Sequence, residues 1–582
     1  MAMVPNPSIA ASLTSRFFLA GACLLGGGLG MAEVQAQRDT LGLDVTFIGD
    51  REMLLRDAHK ILVWPEAAPL PVGKPQFSYN LLAKRLTVEP TWEPVEPKRL
   101  DVQQPLPMLY RGYVRAGYGL YQTPLLEASV TDLRSKAGTW GVDLNHHSTR
   151  GGLAAVDSLP ELFSTSHAQL WGKRFLRKAH VLEAEGNLQR DVVSYYGQAA
   201  DSVFVLAQPG RDRYLRMGTG VRWSRWEADS AAIRHKASLF YRHLAAESGT
   251  RENNLDFQGN LVTFREGERL ELGWGANHDR RTYESPDSTE RTDQQLVLRI
   301  SPALVTQRGP VSARVGAHIT LDARGEQVFH FNPVAAASLN ILKGLFVPYV
   351  QLEGGVDQNR LETVLDRNPL VRPDLALQNT YRKWDLEGGL TGHFARNIHY
   401  RGRASYQRYA QYLYFVNDSA LQSGLRFQGL YANLTVFTLG GELGMQLGES
   451  LTLTGQLDLH TYGTDSQAEA WNLPAVAWRA EARYTFREKL VVLADLAYQG
   501  QRKGLSLVPL EGSAALSTPD GSMAYSADLS RFLDANVSLE YLYNKRMSAW
   551  LRLSNVAAAR YAVWSGYPVQ RFQAMLGFSY AF

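Results

Sequence analysis

The final eleven residues, Phe572 to Phe582, constrain this chain more than any other segment. Phe572, Ala574, Leu576, Phe578, Tyr580 and Phe582 share one face of an extended strand. Gln573, Gly577, Ser579 and Ala581 share the other, with Met575 the one larger apolar residue among them. Period two with an apolar face is the pattern of a half-buried strand, and here it runs to the last residue. In water, a long flat apolar edge strand templates aggregation. A strand that closes a barrel in lipid has no free edge, and its outer face is apolar with aromatics near the interface. The expected fold class is therefore all-β, a transmembrane antiparallel β-barrel.

The amino-terminal residues carry an export pattern. Arg16 precedes an apolar, Gly-rich run from Phe17 to Met31, and Ala32-Glu-Val-Gln-Ala36 then supplies small residues for cleavage after Ala36. The only cysteine, Cys23, lies inside that run. Ala20 stands where a lipoprotein signal would carry a Leu-like residue, and Leu24-Leu25 continue the apolar run, so lipidation is not the reading taken. A mature chain without cysteine excludes disulfides and thiolate metal sites. After Met31 there is no apolar run of about 18 residues, which excludes helical spans. The mean hydropathy of −0.23 is what alternating outward-apolar and inward-polar residues average to, and 27 Tyr with 12 Trp are enough for interfacial girdles. A formal charge of +4 is small for 582 residues and implies no nucleic-acid partner.

From about Pro107 the pattern repeats as long alternating strands joined by tight turns on one side and longer polar loops on the other. Val311, Ala313, Val315, Ala317, Ile319 and Leu321 oppose Ser312, Arg314, Gly316, His318 and Thr320. Leu270, Leu272, Trp274 and Ala276 oppose Glu271, Gly273, Gly275 and Asn277. Walking back from Phe582, tight turns fall near Lys545, Glu488, Glu449, Asn397, Gly344, Arg308, Gly267, Ser230, Lys178 and Ser135. The longer loops fall between them, among them Gly500–Arg531, Gly463–Asn472, Val416–Phe427 and Asn359–Thr380. With Leu109–Leu120 as the first strand, the expected number is about 22. A phase slip between Val436 and Phe437 reads as a bulge, and such slips would also allow 20 or 18 strands. The expected organisation is a signal peptide over 1–36, a Pro-rich periplasmic or partial-plug arm over 37–106, and the barrel over 107–582. Within the arm, 52–62 reads as a helix and 77–88 as a strand, between prolines at 65, 69, 71, 75, 90, 94, 97 and 105.

Little in the sequence carries catalytic or metal chemistry. His146-His147 cannot chelate one ion from a strand, because neighbours point to opposite faces; placed beside Arg150 at a rim, the pair reads as solvated. No Gly-x-Ser-x-Gly or phosphate-binding loop occurs. The hydroxyl-rich run Ser513 to Ser526 reads as an exposed loop. No cofactor, metal or enzymatic activity is expected. The lumen candidates Arg314, Arg401, Arg403, Asp385, Glu387 and Glu442 are mixed in sign. Pairing across the wall is the favoured reading because neither sign dominates; the other is a charged ring that selects solutes.

The stretch Asn555 to Arg571 running into the last strand resembles the final hairpin of TonB-dependent outer-membrane transporters. Asn555, Tyr561, Gly566, Tyr567, Pro568, Arg571, Tyr580 and Phe582 match that pattern. Val556-Ala557 stands in place of Leu-Phe, and Val569-Gln570 in place of Pro-Gly. The resemblance implies a 22-stranded barrel in the outer membrane of a Gram-negative, Bacteroidetes-like bacterium, with lipid as its surroundings. It also implies that the closing strand, with Tyr580 and Phe582, is the signal read by the barrel-assembly machinery. It implies passage or binding of solutes, with TonB as a periplasmic partner. A globular plug of family size does not fit into 37–106, so the chain reads as a plugless relative. Thr40 to Phe47 has an alternation like that of a TonB-binding box, but the favoured reading of so short an apolar match is a plain strand. The alternative is a non-transport scaffold or assembly component that recruits a periplasmic partner through the Pro-rich arm, since extended Pro-rich segments lose little entropy on docking.

Overall fold

The computed structural model describes residues 109–582, apart from 133–134, 152–162, 178, 197–209, 226–232, 286, 325–327, 343, 418–425, 507–513 and 518–522. The signal peptide, the Pro-rich arm with its helix and strand, and the box-like segment lie outside the described residues.

Twenty-two antiparallel strands close on themselves. The first, Gly112–Gly119, pairs on one side with Thr123–Thr131 and on the other with the last, Gln573–Ala581. The closing bonds reach the terminus: Gly112 N–H donates to the Phe582 carbonyl and Phe582 N–H to the Gly112 carbonyl, each at 2.9 Å. Among the described residues, five further short strands stand outside the wall. Leu490–Gln499 pairs directly with Phe532–Leu542, which leaves the strands of the intervening loop outside the ring. Met547–Ser554 likewise pairs directly with Gln573–Ala581 and leaves out a small hairpin, Ala562–Trp564 with Tyr567–Pro568.

Alternation fixes which residues face lipid. Val315 is 62% exposed and Leu576 65%, each on the apolar face of its strand, while Ser579 between Phe578 and Tyr580 is buried. So much contiguous apolar surface is untenable in water and is the low-energy state in hydrocarbon. Aromatics flank the band. Phe394 stacks on Tyr400 and Tyr580 on Phe582 at the turn side, and Trp478 stacks on Tyr498 toward the loop side. Strand length is uneven. The first has 8 residues and Phe427–Leu447 has 21. At about 3.4 Å per residue the longer one extends roughly 70 Å, so its upper half stands beyond the bilayer.

The long connections fall on one side as expected, although some links on that side, such as 120–122 and 247–250, are short. Arg487–Lys489 and Gly448–Ser450 are tight turns on the side of Phe582, and the segments 358–379, 465–475, 500–531 and 555–572 lie at the opposite end. Two readings are corrected. The ladder runs unbroken through Val436↔Gln407 and Phe437↔Tyr406, so the phase slip there is not a bulge. Val436 is apolar because it faces inward into a packed cluster. The irregularity lies on the neighbouring strand, between Tyr409 and Tyr412, where Gln411 has φ 54°. The first strand is also shorter than Leu109–Leu120.

Candidate functional site

At the loop end, described residues of several connections and strand ends pack into a cap. The segment 358–379 carries helix α1 (Leu361–Arg367), started by reciprocal bonds between Arg360 and Thr363 and apolar at Leu361, Val364 and Leu365. Those three side chains are buried in one cluster with Tyr195, Tyr214 and Leu244 from one wall, and with Leu413, Phe415, Phe427, Trp564 and Tyr567. Polar ties fix the same segment. The buried Glu252 carboxylate accepts the N–H groups of Leu361 at 2.5 Å and Glu362 at 3.1 Å. Arg216 reaches Asp366 at 2.6 Å, and Arg281 donates to the Pro373 carbonyl at 3.4 Å.

The centre of the cap is the loop-side part of the two long strands Ile398–Asn417 and Phe427–Leu447. One of its faces, with Leu413, Phe415 and Phe427, packs on α1. The other, with Tyr412, Tyr414 and Leu434, packs on Trp471, Leu505 and Leu516. Both edges are also used: Val371 bridges to Phe427, and Asn417 to Ser506. Asn417 donates to the Ser565 carbonyl at 3.1 Å and Asn472 to the Phe415 carbonyl at 2.9 Å. Arg502 is buried and donates to the carbonyls of Val563 and Ala562, each at 2.9 Å. With no salt bridge to a carboxylate among the described residues, burial pushes its pKa down to about 10, so it keeps its charge at neutral pH.

Under the cap, the lumen candidates separate into groups. Arg314 pairs with Glu271 at 3.1 Å. Several strands away, Asp385 pairs with Arg382 at 2.9 Å, Glu387 accepts from the Tyr349 hydroxyl at 2.8 Å, and Arg403 bridges Glu387 at 3.7 Å and Asp458 at 2.7 Å. Arg401 and Glu442 stand opposite each other in register without a salt bridge among the described residues. Sequence reasoning missed Glu252, Arg216 and Arg281, because their partners lie on the distant 358–379 loop.

A separate cavity of about 530 Å³ lies against the wall beneath Gln358 and Arg360. Its inward side chains include Lys236, Asp256, Gln258 and Arg299. Asp256 accepts from Gln258 at 2.9 Å.

The histidine pair splits across the wall, with His146 bonded to Ser166 at 2.8 Å and His147 buried near Phe163. The solvated reading therefore fails for His147. Part of the hydroxyl-rich run is also no loose loop, since Met523–Leu529 pairs with Arg502–Ser506 inside the cap. Among the described residues, no group of three or more His, Cys, Asp or Glu is arranged to hold a metal ion.

No family model and no curated protein matches this chain. Solved structures do. It is similar to the FrpB iron transporter from Neisseria meningitidis (F3-3 variant), at 11% identity over 82% of each chain with a TM-score of 0.62. It is similar to the pyoverdine outer membrane receptor FpvA from Pseudomonas aeruginosa PAO1, at 10% identity over 82% of this chain and 79% of that one, TM-score 0.60. The ferric-catecholate import receptor Fiu from E. coli K12 aligns at 12% identity over 82% of each, TM-score 0.57. The apolar outer band, the flanking aromatic pairs and the likeness to these structures give the chain the fold of a large transmembrane β-barrel, like those of the outer-membrane receptors it resembles.

Proposed function

We propose that the chain admits solutes across the outer membrane through a lumen whose outer end is closed at rest by the cap. The carrying observation is that the segment 358–379 is built into an apolar core at the barrel mouth, over a polar, charged wall. A simple open pore needs no such core, and a scaffold needs no polar cavity beneath one. The printed functions of the similar structures, iron and siderophore import, favour passage over a purely structural role. We take the chain to be non-catalytic. Residues 37–106 are taken as the periplasmic segment that meets a TonB-type partner, and Tyr580 with Phe582 as the mark read by the assembly machinery. The inward charges, Arg314, Arg401, Arg403, Asp385, Glu387 and Glu442, line the solute path in this reading.

Planar-bilayer recording of the purified chain tests the proposal. The full chain is expected to conduct weakly. Replacing 360–377 by a short Gly-Ser turn is expected to raise conductance about tenfold, and removing 37–105 to raise it further if that segment obstructs the lumen. Equal, negligible conductance in all forms, with a periplasmic protein co-purifying only when 37–105 is present, would overturn passage in favour of the scaffold.

A further inference from the structure

We propose that the cavity under the cap binds a small hydroxylated carboxylate of the sugar-acid class, held by hydrogen bonds and charge without aromatic stacking. This rests on the reading of the lumen as a solute path and names the class of solute.

The cavity's volume, about 530 Å³, falls within the roughly 300–1,000 Å³ of small-molecule sites. Its floor is the strand Glu268–Glu284, where Gly273 and Gly275 both face inward. At Gly275 an added Cβ would meet nothing closer than the Arg299 Cβ at 3.9 Å, so the floor is open for want of side chains. Around it stand three cations, Lys236, Arg299 and Arg360, and one carboxylate, Asp256. That carboxylate is already answered by the Gln258 amide and by Arg242 at 3.8 Å. The cations are answered unevenly. Arg299 donates to the Val356 carbonyl at 3.0 Å and faces Asp357, Arg360 reaches Glu362 at 3.4 Å and faces Asp279 and Glu252, and Lys236 has no salt bridge among the described residues. In the roof, the Gln358 amide nitrogen is shielded from solvent and has no partner.

Lys236 is thus the lining cation left without a salt bridge among the described residues and the Gln358 amide the donor left without a partner, and the ligand complementary to them is rich in acceptors and carries negative charge. A carboxylate fits between guanidinium and ammonium groups, and hydroxyls fit amides and further donors. An aromatic ligand is disfavoured. The one aromatic lining residue, Trp274, belongs to the outward-facing set of its strand and lays its ring against Gly259, so no ring faces the ligand as a platform.

Calorimetric titration of the full chain in nanodiscs tests this, with glucuronate, glucose and inorganic phosphate as probes. Glucuronate is expected to bind at least tenfold tighter than either of the others. Lys236→Gln and Arg299→Gln are each expected to weaken it about tenfold. If Arg299→Gln fails to assemble, Lys236→Gln decides alone, because the Lys236 side chain makes no hydrogen bond or salt bridge among the described residues. Equal binding of glucose would remove the role of charge. Equal binding of phosphate would remove the role of the hydroxylated ring. Unchanged binding in Lys236→Gln would place the ligand elsewhere, and each of these results overturns the proposal. Glucuronate binding without any conductance would overturn passage and leave the site standing; conductance without binding would do the reverse.

Discussion

Phe582 closes the barrel with its backbone as much as with its ring. Its N–H and carbonyl complete the ladder to Gly112, and its ring lies over that glycine, where any Cβ would collide with it. The side chain is 47% exposed on the lipid side, so its burial contributes less than the ~1.5–3 kcal/mol of a fully buried apolar side chain. Phe582→Ala is therefore expected to leave the folded barrel nearly as stable as before. If the terminal aromatic residue is read during assembly, the same change lowers the amount of inserted barrel several-fold. Comparing membrane level with thermal unfolding of the inserted fraction checks this; normal levels of Phe582→Ala refute the signal. Trp564 is a different case. It packs on Phe415 at 5.5 Å and Phe427 at 5.3 Å and is nearly inaccessible. Trp564→Ala should cost about 3–5 kcal/mol, localised to the cap. Faster proteolysis of 358–379 with an intact barrel on gels is the expected result.

At the scale of elements, the cap is held by contacts between loops far apart in sequence. Arg502 ties the strand Arg502–Ser506 to the hairpin Ala562–Trp564 through two carbonyls. Arg502→Ala leaves both acceptors without their donor at a cost of roughly 1–3 kcal/mol each, and should loosen the cap without disturbing the wall. Amide exchange at 502–506 and 562–568 is expected to quicken, with exchange in Leu490–Gln499 unchanged. The turn between Val476–Phe486 and Leu490–Gln499 offers the opposite effect. Arg487 and Glu488 both have positive φ, at 47° and 56°, the geometry of a type I′ turn that glycine or asparagine favours. Glu488→Gly is expected to stabilise the hairpin by about 1 kcal/mol, seen as a higher denaturant midpoint. An unchanged or lower midpoint would mean that the turn carries no such strain.

At the scale of the whole molecule, the closed ring of strands predicts heat-modifiable migration on gels and recovery in the outer-membrane fraction. Recovery as a soluble periplasmic monomer would contradict the architecture. The number of strands, their direction and the side bearing the loops were legible because each rests on local rules. Alternation sets the lipid face, as Val315 and Leu576 illustrate, and short turns can only join neighbours. The hairpin match from Asn555 was legible for the same reason. Asn555 bonds across its own loop to Ala559 and Gln570, a contact set within sixteen residues.

What the sequence determined by itself is the set of properties that repeat along the chain: strand period, turn side, the lipid face and the closing edge. A bilayer imposes these on every strand alike, so each strand announces them separately. What only the tertiary structure decided is where the period gives way. Val436 is apolar on an inward face because the cap covers it, and the true irregularity sits across the ladder at Gln411. His147 is buried against Phe163 although a rim position predicts water. Glu252 looks like any lumen carboxylate until the 358–379 loop arrives, with its two amides, more than a hundred residues later in the chain. Such contacts leave no local trace, because the partner that satisfies each buried group is chosen by loop closure in three dimensions and not by its neighbours in sequence.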